Sequence, residues 1–189
     1  MSTLLEQVRH RLTTADYHKM GAAGVFGPTD RVELIEGEII DMAPIGSTHA
    51  GVVALLIKLL VRALADQAIV NVQNPVVLGD HSEPQPDLSV SRPRADFYRG
   101  AHPTPADILL LIEVAESSVN FDREVKLPLY ARHNVPEVWL VDLRQKALAI
   151  HRAPLEGAYR VTLQPHDLTR IAPLELPQVV LDLSDLFRF

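Results

Sequence analysis

Three residues carry groups suited to phosphate chemistry: Asp87 in PQPDLSV (85–91), Glu113 in ILLLIEVAESS (108–118) and Lys126 in NFDREVKLPLYARHN (120–134). Glu113 directly follows the five apolar residues Ile108 to Ile112, and a carboxylate in such a run is rarely buried unless something pairs with it. If Asp87 and Glu113 stand on adjacent strands at one edge of a sheet, their oxygens converge. Two unpaired carboxylates there repel each other and raise a pKa. A hard divalent cation resolves the conflict, because Mg²⁺ takes one or two carboxylates, keeps several waters and leaves room for a substrate phosphate. Such an ion acts as a Lewis acid on the phosphoryl oxygen and acidifies a bound water. Lys126, thirteen residues beyond Glu113, can reach back on its flexible stem to offset developing charge. Tyr130 lies one turn further on the same helical face.

Each residue also has an ordinary local explanation. Asp87 after Pro86 can cap a turn, and an arginine can satisfy Glu113. Lys126 follows Asp122 by four positions, a helix ion pair contributing only ~0.3–0.5 kcal/mol. His49 opens a helix, where it is most simply a partly exposed first-turn residue. The remaining histidines lack the spacing of a catalytic zinc site. Neither a GxSxG elbow nor a GxxxxGK[ST] loop occurs, which removes the usual hydrolase and P-loop readings.

The positioning elements follow from periodicity. STLLEQVRHRLTTADYHKMGAAG has helical spacing, with Thr13 or Thr14 capping a second short helix that Gly21 and Gly24 end. RVELIEGEIIDMA predicts two strands about a turn at Glu36-Gly37. Ser47 or Thr48 then caps a long helix over 49–68, whose Lys58, Arg62 and Asp66 form a polar stripe. Strands are predicted at 68–78, 86–91, 107–115, 137–143, 147–153 and 158–164. The segment 120–134 is helical by spacing, with Pro128 either kinking it or marking its proper start. The tail VVLDLSDLFRF predicts a last strand and a capped turn that folds Leu186 and Phe187 onto the body. This order describes a single α/β domain on a mixed sheet.

Composition bounds the rest. The 189 residues suffice for one well-buried core, and the absence of cysteine excludes disulfides and thiolate zinc sites. A net charge of −6 argues against a protein that coats nucleic acid through its overall field. The apolar stretch 52–65 is broken by Lys58 and Arg62, and nothing resembles a signal peptide, so a cytoplasmic protein without membrane attachment is expected. The loop SRPRADFYRGAHPTPAD (91–107) sets Arg92, Arg94 and Arg99 beside Phe97 and Tyr98. Such a mixture suits phosphates and bases, although a solvated loop stiffened by prolines is the plainer reading.

Taken in order, PQPDLSV, LLIEVAESS and DREVKLPLYARHNVPEVWLVD, with ELIEGE before them, resemble the Uma-two family of restriction endonucleases, a branch of the PD-(D/E)xK nuclease superfamily. The resemblance runs from about Val32 to Asp142. It implies a restriction-endonuclease-like αβββαβ core with a mixed central sheet flanked by helices. Residues 1–30 would form an amino-terminal helical segment, 31–143 the core and 144–189 carboxy-terminal strands of one domain. It further implies a Mg²⁺- or Mn²⁺-dependent endonuclease hydrolysing phosphodiester bonds in DNA. Asp87 and Glu113 would bind the metal, with the Val114 carbonyl as a third ligand and Lys126 as the catalytic cation. His49 and Tyr130 would support the site or meet substrate. Glu33, Glu36 and Glu38 compete to supply a further acid, with Glu38 favoured. One departure stands out, since the superfamily's usual lysine two places after the acid is Ala115 here, so the lysine function moves to Lys126. An inactive module for nucleic-acid binding or protein interaction is the alternative. A homodimer is expected from the resemblance and from the apolar segments LELPQVVLDL and LFRF.

Overall fold

A computed structural model of the chain describes residues 9–189; the part of the expected amino-terminal helical segment on residues 2–8 lies outside them. The first helix described, α1 (Thr14–Ala22), begins with a capping box in which the Thr13 hydroxyl accepts from the Asp16 amide and the Asp16 carboxylate accepts from the Thr13 amide. A tight hairpin follows, β1 (Val32–Ile35) and β2 (Glu38–Asp41), with Ile35 opposite Glu38. Its two turn residues, Glu36 and Gly37, both have positive φ, 50° and 82°, as such two-residue turns require.

The long helix α2 (Ser47–Leu64) starts from Gly46 rather than from a side-chain cap at Ser47 or Thr48. Its Val52, Val53, Leu56, Leu60 and Leu64 are buried, a stripe at three- and four-residue spacing that faces the sheet. Residues Ser47–Gln67 are long and apolar enough by composition to cross a membrane, but here that apolar stripe belongs to the main core.

Six strands form the central sheet in the order β3-β4-β5-β6-β7-β8: β3 (Ile69–Val72), β4 (Leu88–Ser91), β5 (Ile108–Ala115), β6 (Glu137–Asp142), β7 (Ala147–Leu155) and β8 (Ala158–Leu163). Only β5 and β6 run parallel, the pair joined through a helical segment that crosses over the sheet; long loops join β3 to β4 and β4 to β5, and short turns join β6, β7 and β8. That segment comprises α3 (Val119–Phe121), a π turn (Asp122–Lys126) and α4 (Leu127–Arg132). From α2 to β6 the element order is αβββαβ. Strand 68–78 was expected longer, but pairing stops at Val72 and the chain runs irregularly past Pro75 to β4.

Two cores cover the sheet's faces. On one, α2 packs with Leu88, Leu110, Ile112 and Trp139. On the other, Leu127, Leu129 and Tyr130 of the helical segment meet Leu111, Ala115, Val138 and Leu140. The tail does not make the expected strand; it makes one bridge, Ile171 to Leu181, and then turns. Its Val179, Leu181, Leu183 and Leu186 join the α2 core, so the apolarity that suggested a dimer contact is largely buried within the same chain.

Candidate active site

Register brings the two acids together. Leu88 pairs with Ile112 across β4 and β5, so one step further puts Asp87 opposite Glu113 with both side chains on one face. The Val114 amide donates to Asp87 Oδ2 at 2.9 Å, and the Asp87 amide lies 3.4 Å from Glu113 Oε2. Each acid is thereby tied to the other's strand.

The π turn brings in the lysine. Pro128 has no N–H to give the Glu124 carbonyl, and its ring would crowd that carbonyl in a regular helix. Instead the Leu127 amide donates to the Asp122 carbonyl, five residues back. One extra residue in the turn changes the direction of everything before it. Lys126 makes no ion pair with Asp122 within 4.0 Å among the described residues; its Nζ lies 3.2 Å from Glu33 Oε2 and 3.3 Å from Glu113 Oε1. Tyr130 Oη donates to the same Glu113 oxygen at 2.5 Å. The Lys126 and Glu113 side chains are only 6% and 5% exposed.

Asp87 has its own supports. His49 Nε2 sits 3.0 Å from Oδ2, and Gln73 Nε2 donates to Oδ1 at 3.2 Å. The His49 Nδ1 is buried without a partner among the described residues. The expected acid Glu38 does not reach this cluster, because it pairs with Arg9 at 2.6 Å on the surface. Glu36 is likewise exposed and pairs with Arg132. Glu33 takes the place instead, buried and held by the Gln85 amide at 3.0 Å. Glu33, Ile35, Glu38 and Ile40 all share one face of the hairpin, given the pairs Glu33–Ile40 and Ile35–Glu38. Alternation alone therefore could not choose between the two acids; Glu33 lies inward and Glu38 at the turn.

Electrostatics follow from burial and count. Burial pushes the Glu113 carboxyl up to about 8, against the pull of Lys126. Burial also opposes charge on Lys126, but Glu113, Glu33 and Asp122 outweigh it and hold the ammonium above its ordinary value. Asp122, buried and bonded by the Ser118 hydroxyl at 2.7 Å, is likewise raised by burial. Burial works against the Asp87 carboxylate too, yet its bonds to His49, Val114 and Gln73 carry it below the usual range. The bond to Asp87 raises His49 in turn.

These groups line a cleft of about 240 Å³ beneath the 42–46 loop and the start of α2. Six acids line it, Glu33, Asp41, Asp87, Glu113, Glu116 and Asp122, against Arg31, Lys126 and His49, an excess of acidic groups that a divalent cation would balance. No set of three or more metal-binding side chains converges among the described residues. Asp87 Oδ1 and Glu113 Oε2 each have one partner among the described residues, so these two oxygens suit a Mg²⁺- or Mn²⁺-type ion that completes its shell with water.

The arginine loop stands elsewhere. It ends where β5 begins, about 17 Å along the strand from Glu113 at ~3.3 Å per residue. Arg94 is clasped by Asp96 and stacks on Tyr98 at 4.0 Å. Arg92 lies 3.8 Å from Glu175.

A mixed six-stranded sheet with an αβββαβ core and paired acids at the end of its central strands defines a restriction-endonuclease-like α/β protein. The family model Uma2, described as "Putative restriction endonuclease", matches residues 14–184, and the chain belongs to that family. Among solved structures, the chain is similar to "a putative nuclease belonging to DUF820 from Anabaena variabilis", with 18% identity, a TM-score of 0.70, and coverage of 94% of this chain and 98% of that one. No curated protein matches it significantly.

Proposed function

We propose that this protein is a metal-dependent endonuclease that hydrolyses phosphodiester bonds in DNA, with Asp87, Glu113 and Lys126 as its catalytic residues. One observation supports this above the others. Three groups remote in sequence face one cleft, with the lysine within 3.3 Å of the Glu113 carboxylate. A Mg²⁺ or Mn²⁺ ion held by Asp87 and Glu113 would polarise the scissile phosphate and acidify a bound water. The chain's own residues do the rest. His49, Gln73 and the Val114 amide fix the Asp87 oxygens, and Tyr130 holds Glu113 Oε1 so that Oε2 stays open towards Asp87. Lys126 keeps its proton at Nζ and offsets charge that develops on the phosphoryl oxygens.

Plasmid nicking in Mg²⁺ or Mn²⁺ tests the reading. Wild type is expected to nick, while Asp87→Ala and Lys126→Ala fall by at least ~100-fold, the scale seen when a charge-stabilising donor is lost. Equal nicking by all three defeats the site. A catalytically silent binding module is the second reading, favoured by Ala115 where the superfamily has lysine. Heat of Mn²⁺ binding that disappears in Glu113→Gln rules against that alternative. The family resemblance also leads us to propose a homodimer, for which light scattering should return twice the 21.0 kDa chain mass; a monomer mass contradicts it.

A further inference from the structure

A second groove, of about 290 Å³, adjoins the catalytic cleft, and Ile40 and Phe121 line both. The far groove carries Glu36, which pairs with Arg132, and Glu38 together with the basic run Arg9, His10 and Arg11. This segment is held in place. The Leu12 amide donates to the Gly37 carbonyl at 3.0 Å and the Thr14 amide to the Asp80 carbonyl at 2.7 Å. A side chain on Gly37 would meet the Arg11 Cβ at 2.6 Å, so the turn glycine permits the close approach. Arg9 pairs with Glu38, whereas the Arg11 guanidinium has neither an ion pair nor a hydrogen bond among the described residues. Phe121, half-buried at the shared wall, is an aromatic surface between an acidic cleft and a groove where Arg11 stands clear of both glutamates.

We propose that the two grooves form one track for a single nucleic-acid strand, a reading that rests on the nuclease function proposed above and names its substrate form. Single-strand recognition combines cationic groups that follow the backbone with aromatic rings that stack on bases. Here the scissile phosphate enters the acidic cleft, the neighbouring base stacks on Phe121, and the next phosphates meet Arg9, His10 and Arg11. The reacting carboxylates are nearly inaccessible, which a strand drawn into the cleft can satisfy more readily than an intact duplex. The arginine loop plays no part in this track, being at the other end of β5.

Fluorescence anisotropy of a labelled single-stranded oligonucleotide and its duplex, with the full chain and Ca²⁺ to occupy the carboxylates, tests this without requiring cleavage. Wild type should bind the single strand at least ~10-fold more tightly. Phe121→Ala should weaken it by roughly 10-fold, within the range for loss of one stacked base. Arg11→Ala, on an exposed side chain, should lower the salt slope by about 0.7, the value for one single-strand phosphate contact. Thermal melts of both variants confirm that they are folded. No single-strand binding, equal affinity for duplex, or Arg11→Ala and Phe121→Ala matching wild type each overturn the track. Nicking can persist in that case, leaving the catalytic reading intact. Conversely, binding with the expected dependence and no cleavage under any metal supports the track while removing the catalytic reading.

Discussion

Removing the Lys126 ammonium strands the Glu33 carboxylate where water barely reaches, and, once pH passes about 8, the Glu113 carboxylate as well. Breaking a buried pair by deleting one partner typically costs about 3–5 kcal/mol, so Lys126→Ala should lower stability by that order, measured by urea titration. The proton on Glu113 carries a second expectation. Its carboxyl sits at about 8 in the folded chain against an ordinary 4.5, so between those values the folded state binds more protons than the unfolded state. Stability contributed by this group therefore falls as pH rises through that window. Melting temperatures across it should decline more steeply for wild type than for Glu113→Gln, and parallel curves would refute the shift. Added Mn²⁺ should reverse the trend, because a cation binds the deprotonated carboxylate and releases a proton.

At the scale of elements, the π turn decides what Lys126 touches. A regular α-helix would stack Lys126 over Asp122, the unremarkable pair that spacing suggests. The turn before Pro128 sends it to Glu33 and Glu113 instead. Pro128→Ala restores an N–H and removes the ring's clash, which favours a regular helix. Nicking should then drop by roughly 10-fold or more, while the melting point shifts by only a few degrees, as expected for a change within about 1 kcal/mol. Unchanged activity would mean that packing of Leu127 and Tyr130, rather than the proline, sets the turn.

At the scale of the whole molecule, a buried staple fastens the tail to the sheet far from the cleft. Glu137, fully buried, accepts from Trp139 Nε1 at 2.8 Å, from Arg152 Nε at 2.9 Å and from the Leu174 amide at 2.5 Å. Arg152→Ala leaves that carboxylate without its counter-charge and should destabilise by about 3–5 kcal/mol. Metal binding at Asp87 and Glu113 should survive below the transition, checked by calorimetry. Loss of both together would show that the two regions are coupled.

Local pattern in the sequence determined most of the elements and one group of the candidate site. Hydrophobic periods of two and near four residues mark β4 to β8, α1 and α2, and an acid after five apolar residues marks Glu113. These signals are local because backbone geometry repeats over a few residues. Tertiary structure decided the rest. Glu33 rather than Glu38 joins the cluster because position along a hairpin, not which face, sets the distance to Lys126. Val179, Leu181, Leu183 and Leu186 of the tail fill the α2 core, since burial depends on which surfaces meet. The sequence draws attention to the arginine loop, yet the Arg9–Arg11 run is the one whose groove adjoins the cleft, because the direction of β5 carries the loop away from the acids.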